Sequence, residues 1–167
     1  MDDQTKKTAL RMIPYGIYVL TAGSRDGDVA AATVNWVTQT SFSPPLIALG
    51  VKTDSGVYAI ARAKGELVLN ILGQGQQGAA FAFFKPAEYA DDTISGETVE
   101  WAANGAPILT SAPAAVELKL LQVVELGDHH TFITEVTDVH LNHAIEGRPD
   151  EAVLHMKDLG EKVFYGG

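Results

Sequence analysis

A small antiparallel β-barrel, closed or nearly closed, is the fold class that these 167 residues predict. Three observations lead there. Short apolar runs suited to strands recur along the chain, and turn signals rather than long helices join them. Helical periodicity is confined to a few brief stretches. Strands linked mainly by hairpins, with few helices beside them, close most simply into a barrel.

The elements follow in order. Residues 8–13 suit a short amphipathic helix, with Leu10 and Ile13 at helical spacing and Pro14 as its stop. Residues 17–21 predict a strand. Asp26-Gly27 is a hairpin signal, and residues 29–34 return beside that strand. After the Pro44-Pro45 corner, residues 46–51 read as a buried strand. Asp54 or Ser55 can cap a helix reaching about Ala63, and Gly65 restarts a strand over 67–72. Residues 76–84 are apolar and predict a helix. Residues 85–114 are acidic, rich in turn formers and without clear period, which predicts a long functional loop or lid. A second antiparallel pair, 116–126 and 131–141, turns at Gly127-Asp128, and one more short strand is expected over 163–165. Neither repeat nor linker interrupts the chain, so a single domain over 1–167 is expected.

Composition narrows the function. Hydrophobic content of 46% and charged content of 20% are ordinary for a soluble globular chain. Zero cysteines exclude disulfides, thiolate metal sites and cysteine nucleophiles. No apolar run approaches the ~18 residues of a membrane helix, and MDDQTKK lacks the features of a signal peptide. No membrane partner is expected, and a cytoplasmic location is the simplest reading. The net charge of −9, with no basic run longer than Lys6-Lys7, argues against nucleic acid. An acidic surface also repels anions, so a phosphate would need a local pocket with its own donors.

The densest chemistry lies in 30–51, AAATVNWVTQTSFSPPLIALGV. Thr33, Asn35, Thr38, Gln39, Thr40 and Ser41 gather hydroxyls and amides ahead of a buried strand. Such a run is either an edge strand facing water or a surface for a flat polar ligand with carbonyls and ring nitrogens, such as a flavin. Trp36 suits a cofactor wall, a core or an interface. Lys52-Thr53-Asp54-Ser55 opens a helix whose free N–H groups can receive an anion, helped by Lys52 and Ser55 and opposed by Asp54. At Gly127-Asp128-His129-His130, a tight turn can bring His129 to the mouth of a barrel pocket, or leave it solvated.

Two motifs point elsewhere. Residues 73–78 spell G-x-G-x-x-G after the strand LVLNIL, with Asp91, Asp92 and Glu97 about 20 residues on. The second parallel strand of a dinucleotide fold is missing, so a flexible turn is the better reading. His140 and His143 would oppose each other on a strand, and no HExxH is present, so no metal site is expected. No G-x-S-x-G elbow supplies a serine nucleophile.

Taken together, ALRMIPYGIYVLTA, ATVNWVTQTSFSPPLIALGV, KTDS, GELVLNIL, FAFFK, GAPIL and GDHHTFITEVTDV resemble the flavin reductase-like domain family, over residues 9–165. The resemblance implies a mainly β fold, a six-stranded antiparallel Greek-key split barrel with a few peripheral α-helices. It also implies a homodimer with FMN, less often FAD, near the subunit interface. Asn35, Trp36, Val37 and Thr38 would border the flavin, Lys52 and Ser55 would approach its phosphate with Lys85 nearby, and His129 would lie near the nicotinamide. The implied activity is an NAD(P)H:flavin oxidoreductase that passes hydride to flavin N5 with no catalytic protein nucleophile. Reduced flavin would serve a partner oxygenase or another electron acceptor. The alternatives are an FMN-binding electron-transfer protein without pyridine-nucleotide activity, and a colourless dimeric interaction module. Asn35-Trp36, the glycine-rich turn and the segment after Lys85 depart from the family's usual pattern. No basic cluster marks a 2′-phosphate site, which favours NADH over NADPH unless Arg25, Arg62 or Arg148 folds into place.

Overall fold

Alternate residues of the first strand face two different cores, and this alternation organises the molecule. In the computed structural model, which describes residues 1–167, helix α1 (Asp3–Arg11) precedes β1 (Tyr18–Gly23), β2 (Val29–Val34), β3 (Val37–Phe42) and β4 (Pro45–Lys52). Next come α2 (Gly56–Lys64), β5 (Glu66–Ile71) and α3 (Gln77–Ala82). Four short strands follow: β6 (Tyr89–Ala90), β7 (Thr93–Ile94), β8 (Glu97–Trp101) and β9 (Pro107–Leu109). The long β10 (Ala114–Val124) and β11 (His129–Leu141) complete the sheets.

Seven strands form one antiparallel sheet in the order β2-β1-β5-β10-β11-β4-β3. Its two edge strands, β2 and β3, are consecutive in the chain, with only Asn35 and Trp36 between them. Laid flat, seven strands would separate those edges by about 29 Å, whereas three Cα steps reach about 11 Å. The sheet therefore curls until its edges meet. Counted as one bent strand, β2 and β3 reduce the barrel to the six strands expected. Trp36 O accepts the Gly50 N–H at 2.8 Å, which lays the bend along β4.

Inside the curl, Leu20, Leu49, Leu67, Leu118 and Phe132 pack with Val57 and Ala61 of α2. Outside it, Ile17, Val19 and Leu72 pack with Ala80 and Phe83 around α3 and with Ile94, Val99 and Leu109. Strand β5 runs antiparallel to both its neighbours, so the glycine-rich turn after it belongs to no dinucleotide fold. No helix is long and apolar enough to cross a membrane.

Three expectations are corrected. Residues 85–114 are not a loop or lid: β6, β7, β8 and β9 make a second, four-stranded sheet. Its strands are two to five residues long, too short for a period to be read, and the buried Ile94 and Val99 stand singly among polar residues. Asn70 ties the two sheets together. Its Nδ2 donates to Val19 O (3.1 Å) and Thr21 Oγ1 (3.2 Å), and its Oδ1 accepts from Leu109 N (2.8 Å). The first helix starts at Asp3 rather than residue 8, because the Asp2 carboxylate caps it by accepting Thr5 N–H at 2.7 Å. It buries no side chain, so apolar spacing marked only its end. Residues 163–165 form no strand and run instead across the mouth of the barrel beside His129.

Candidate functional site

Four elements end beside one another at that mouth. Strand β2 delivers Thr33, Val34 and Asn35, β4 delivers Lys52, α2 begins just after Ser55, and β11 begins at His129, paired in register with Lys52. Helix α3 is held against β2 by Thr33, whose Oγ1 donates to Ala80 O at 2.7 Å and whose N–H donates to Phe83 O at 3.2 Å.

A cavity of about 280 Å³ lies between these elements. Asn35, Lys52 and Ser55 line it with Thr33, Phe83, Phe84, Met156 and Tyr165. A narrow extension adds His129 to the same lining. Trp36, Val37 and Thr38 face a neighbouring groove of about 690 Å³, which His129 also borders. The predicted residues thus fall on two sides of a partition formed by Trp36, His129 and Tyr165. Lys85 is exposed and lines neither space. Residues 85–114 line neither space, so the second sheet does not cover the site. Thr38, Gln39 and Thr40 point largely to solvent on the edge strand β3, so much of the hydroxyl-rich run is a wetted edge, and its inward members are Thr33 and Asn35.

The polar groups are arranged as follows. Asn35 Nδ2 donates to Tyr165 O at 3.1 Å. His129 Nδ1 lies 2.8 Å from Asp128 Oδ1, and its Nε2 lies 2.7 Å from the Tyr165 hydroxyl. That hydrogen bond from His129 is the main reason the Asp128 carboxyl is held below its ordinary range. Burial pushes the Tyr165 hydroxyl up, favouring its neutral, donating form. Lys52 sits 3.0 Å from Asp54, whose hydrogen bond raises the ammonium and keeps it charged. Ser55 Oγ donates to Lys52 O at 2.7 Å rather than capping α2, so the first N–H groups of that helix have no side-chain acceptor. Trp36 Nε1 is buried and has no partner.

This chemistry suits a flat ligand with an anionic end. Lys52 and the uncapped N-terminus of α2 supply a cation and N–H donors for a phosphate. Phe83 and Phe84 offer apolar faces to this cavity, whereas the Trp36 indole N–H, buried and unpaired, stands outside its lining.

Tyr165 and Met156 were not foreseen as site residues. Both lie far along the chain from Asn35, and only a weak apolar signal at 163–165 marked the segment. Arg25, Arg62 and Arg148 pair with Asp92, Glu125 and Asp150 respectively, and none lines either space.

Residues 10–159 match the family described as the flavin reductase like domain. The chain is 32% identical over 138 residues to diflavin flavoprotein A 1 of Synechocystis, covering 81% of this chain and 24% of that protein. It therefore spans about a quarter of the length of the diflavin flavoproteins it matches. An NADH:FMN oxidoreductase of Rhodococcus erythropolis is 29% identical over 153 residues, covering 89% of this chain and 76% of that protein. The styrene monooxygenase flavin reductase of Pseudomonas putida S12 superposes with a TM-score of 0.69 at 28% identity, covering 82% and 87% of the two chains. The NADH:FAD oxidoreductase SgcE6 of Streptomyces globisporus, solved with NAD and FAD fragments, gives a TM-score of 0.65 at 30% identity, covering 77% and 76%. With that fold shared and nine-tenths of its length matched, this chain belongs to the flavin reductase-like domain family, in its split-barrel form.

Proposed function

We propose that the protein binds FMN and works as an NADH-dependent flavin reductase. The observation that carries this reading is the convergence of Asn35, Lys52 and Ser55 on one cavity that reaches His129. FMN is favoured over FAD because Lys52 and the start of α2 suit a phosphate monoester. NADH is favoured over NADPH because Arg25, Arg62 and Arg148 are each held in an ion pair outside the site.

Bound flavin supplies the hydride-accepting N5; the chain supplies position and environment. Lys52 neutralises the phosphate, Asn35 and Trp36 present N–H groups to carbonyl edges, and Phe83, Phe84 and Met156 exclude water. His129 fixes the edge of the site through its contact with Asp128. We place dimerisation in the same reading, with exposed Phe42 on β3 and Leu121, Val139 and Leu141 on β10 and β11 as its apolar contacts. The reduced flavin would pass to a partner oxygenase or another acceptor, as the name of the Pseudomonas relative suggests.

A second reading, an FMN-binding electron carrier, is favoured by Tyr165 standing against Trp36 and His129, where a nicotinamide would approach. Visible absorption before and after anaerobic NADH separates the two. Bleaching of a bound flavin supports the reductase, and a flavin that survives both NADH and NADPH supports the carrier. Protein that stays colourless with added FMN refutes both.

A further inference from the structure

Residues 163–167 run across the partition between the cavities. Val163 packs against the outer core, and beyond it the attachment is thin. Arg11 Nε donates to Gly166 O at 3.2 Å, and its guanidinium lies 4.4 Å from the centre of the Phe164 ring. Asn35 and His129 hold Tyr165 through its backbone carbonyl and its hydroxyl. Phe164 and Tyr165 still remain 53% and 42% exposed. The segment belongs to no helix or strand, so few contacts oppose its release.

Beneath this strap lies an unexplained donor. Trp36 Nε1 is buried without an acceptor, although buried polar groups are nearly always paired. Gly166 passes over it so closely that a Cβ there would lie 3.7 Å from Nε1. The Tyr165 ring lies 5.6 Å from the Trp36 ring, and His129 lies 4.6 Å from it on centroids. Tyr165 also lines both the 280 Å³ cavity and a third one of about 490 Å³ along the strap, so it stands at the boundary of both.

Resting on the flavoprotein reading above, we propose that Tyr165 is a ring gate. A planar heteroaromatic ring bearing an exocyclic carbonyl displaces it from Trp36 and His129, and that carbonyl accepts the Trp36 indole N–H. The flavin pyrimidine edge and the nicotinamide carboxamide share this chemistry. Binding through a gate lowers apparent affinity by the fraction of molecules that are open, so loosening the gate tightens binding.

The test uses two probes: FMN added to the protein, read by flavin fluorescence, and NAD⁺ added to the FMN-loaded protein, read by its flavin spectrum. Wild type is compared with Tyr165→Ala, Tyr165→Phe, Trp36→Phe and a chain ending at Val163, with circular dichroism checking each fold. Tyr165→Ala and the shortened chain are expected to bind one probe about fivefold more tightly, with Tyr165→Phe in between. Trp36→Phe, which lacks the indole N–H, should bind that probe more weakly. The probe that responds identifies the ring. Equal or weaker binding of both probes by folded Tyr165→Ala makes the strap a fixed wall and overturns the gate. To keep the two readings separable, NAD⁺ is also offered to protein without FMN. If FMN never binds but NAD⁺ binds more tightly to Tyr165→Ala, the flavin reading falls and the gate stands; if neither probe binds any variant, both fall.

Discussion

The Tyr165 hydroxyl lies 2.7 Å from His129 Nε2, on the side of the imidazole opposite Asp128. A carboxylate only accepts, so the proton of the neutral ring sits on Nδ1, and Nε2 accepts from the phenol. His129 therefore donates to a ligand through Nε2 only when its ring is doubly protonated. Without Asp128 the tautomer would be free, and a neutral His129 could present a donor instead.

Asp128 leaves a signature in stability against pH. Its carboxyl, with an ordinary value of 3.8, is lowered in the folded protein, chiefly by the hydrogen bond from His129. The unfolded chain then binds more protons across that interval, so the contribution is complete above 3.8 and lost as pH falls through the lower folded value. Asp128→Asn should melt below wild type at neutral pH, and the difference should shrink at pH about 3. Thermal melts at the two pH values measure it.

Asn70 is fully buried and joins β1, β5 and β9. Asn70→Leu would leave Val19 O without its side-chain donor and Leu109 N without an acceptor. The expected loss is about 2–4 kcal/mol, read from urea denaturation. An unchanged midpoint would show that the second sheet docks through its apolar contacts alone.

Gly50 is where the bend of the barrel strand meets β4. A Cβ there would lie 3.1 Å from both Cβ and Cε3 of Trp36. Gly50→Val should displace the indole, cost about 1–3 kcal/mol and shift Trp36 emission in a Trp101→Phe background. A spectrum that does not move would place the strain elsewhere.

Lys52 lines the same cavity as Ser55, the N-cap of α2. If it holds a phosphate, Lys52→Ala weakens FMN binding about tenfold and makes the affinity less sensitive to salt. Riboflavin, which has no phosphate, should bind wild type and variant alike. Equal FMN affinities in a fluorescence titration would remove Lys52 from the site.

Much of this was legible along the chain. The 29–34 return strand, the Gly127-Asp128 turn and the β10–β11 pair follow from local turn chemistry and alternation, which act over a few residues. Helix α2 ends at Gly65, whose φ of +72° is the left-handed cap that the glycine there invited. The second sheet was missed because a two-residue strand carries no period. Residues 163–165 were misread as a strand because apolar character alone does not say whether a segment pairs or merely lies over a surface. Lys85, which the resemblance to the family puts near the phosphate, is exposed after α3 and lines neither space.

The sequence by itself determined the family, the antiparallel character and a set of chemistry-bearing residues, because those are written in local pattern and residue type. Tertiary structure alone decided how they meet. Curling of the sheet brings the end of β2 to the mouth where β4 ends and β11 begins, which puts Asn35, Lys52 and Ser55 on one cavity and Trp36, Val37 and Thr38 on the next. Only the folded path of the chain lays Tyr165 against His129, thirty-six positions away. Contacts at that separation arise from the packing of whole elements, and no short-range pattern encodes them.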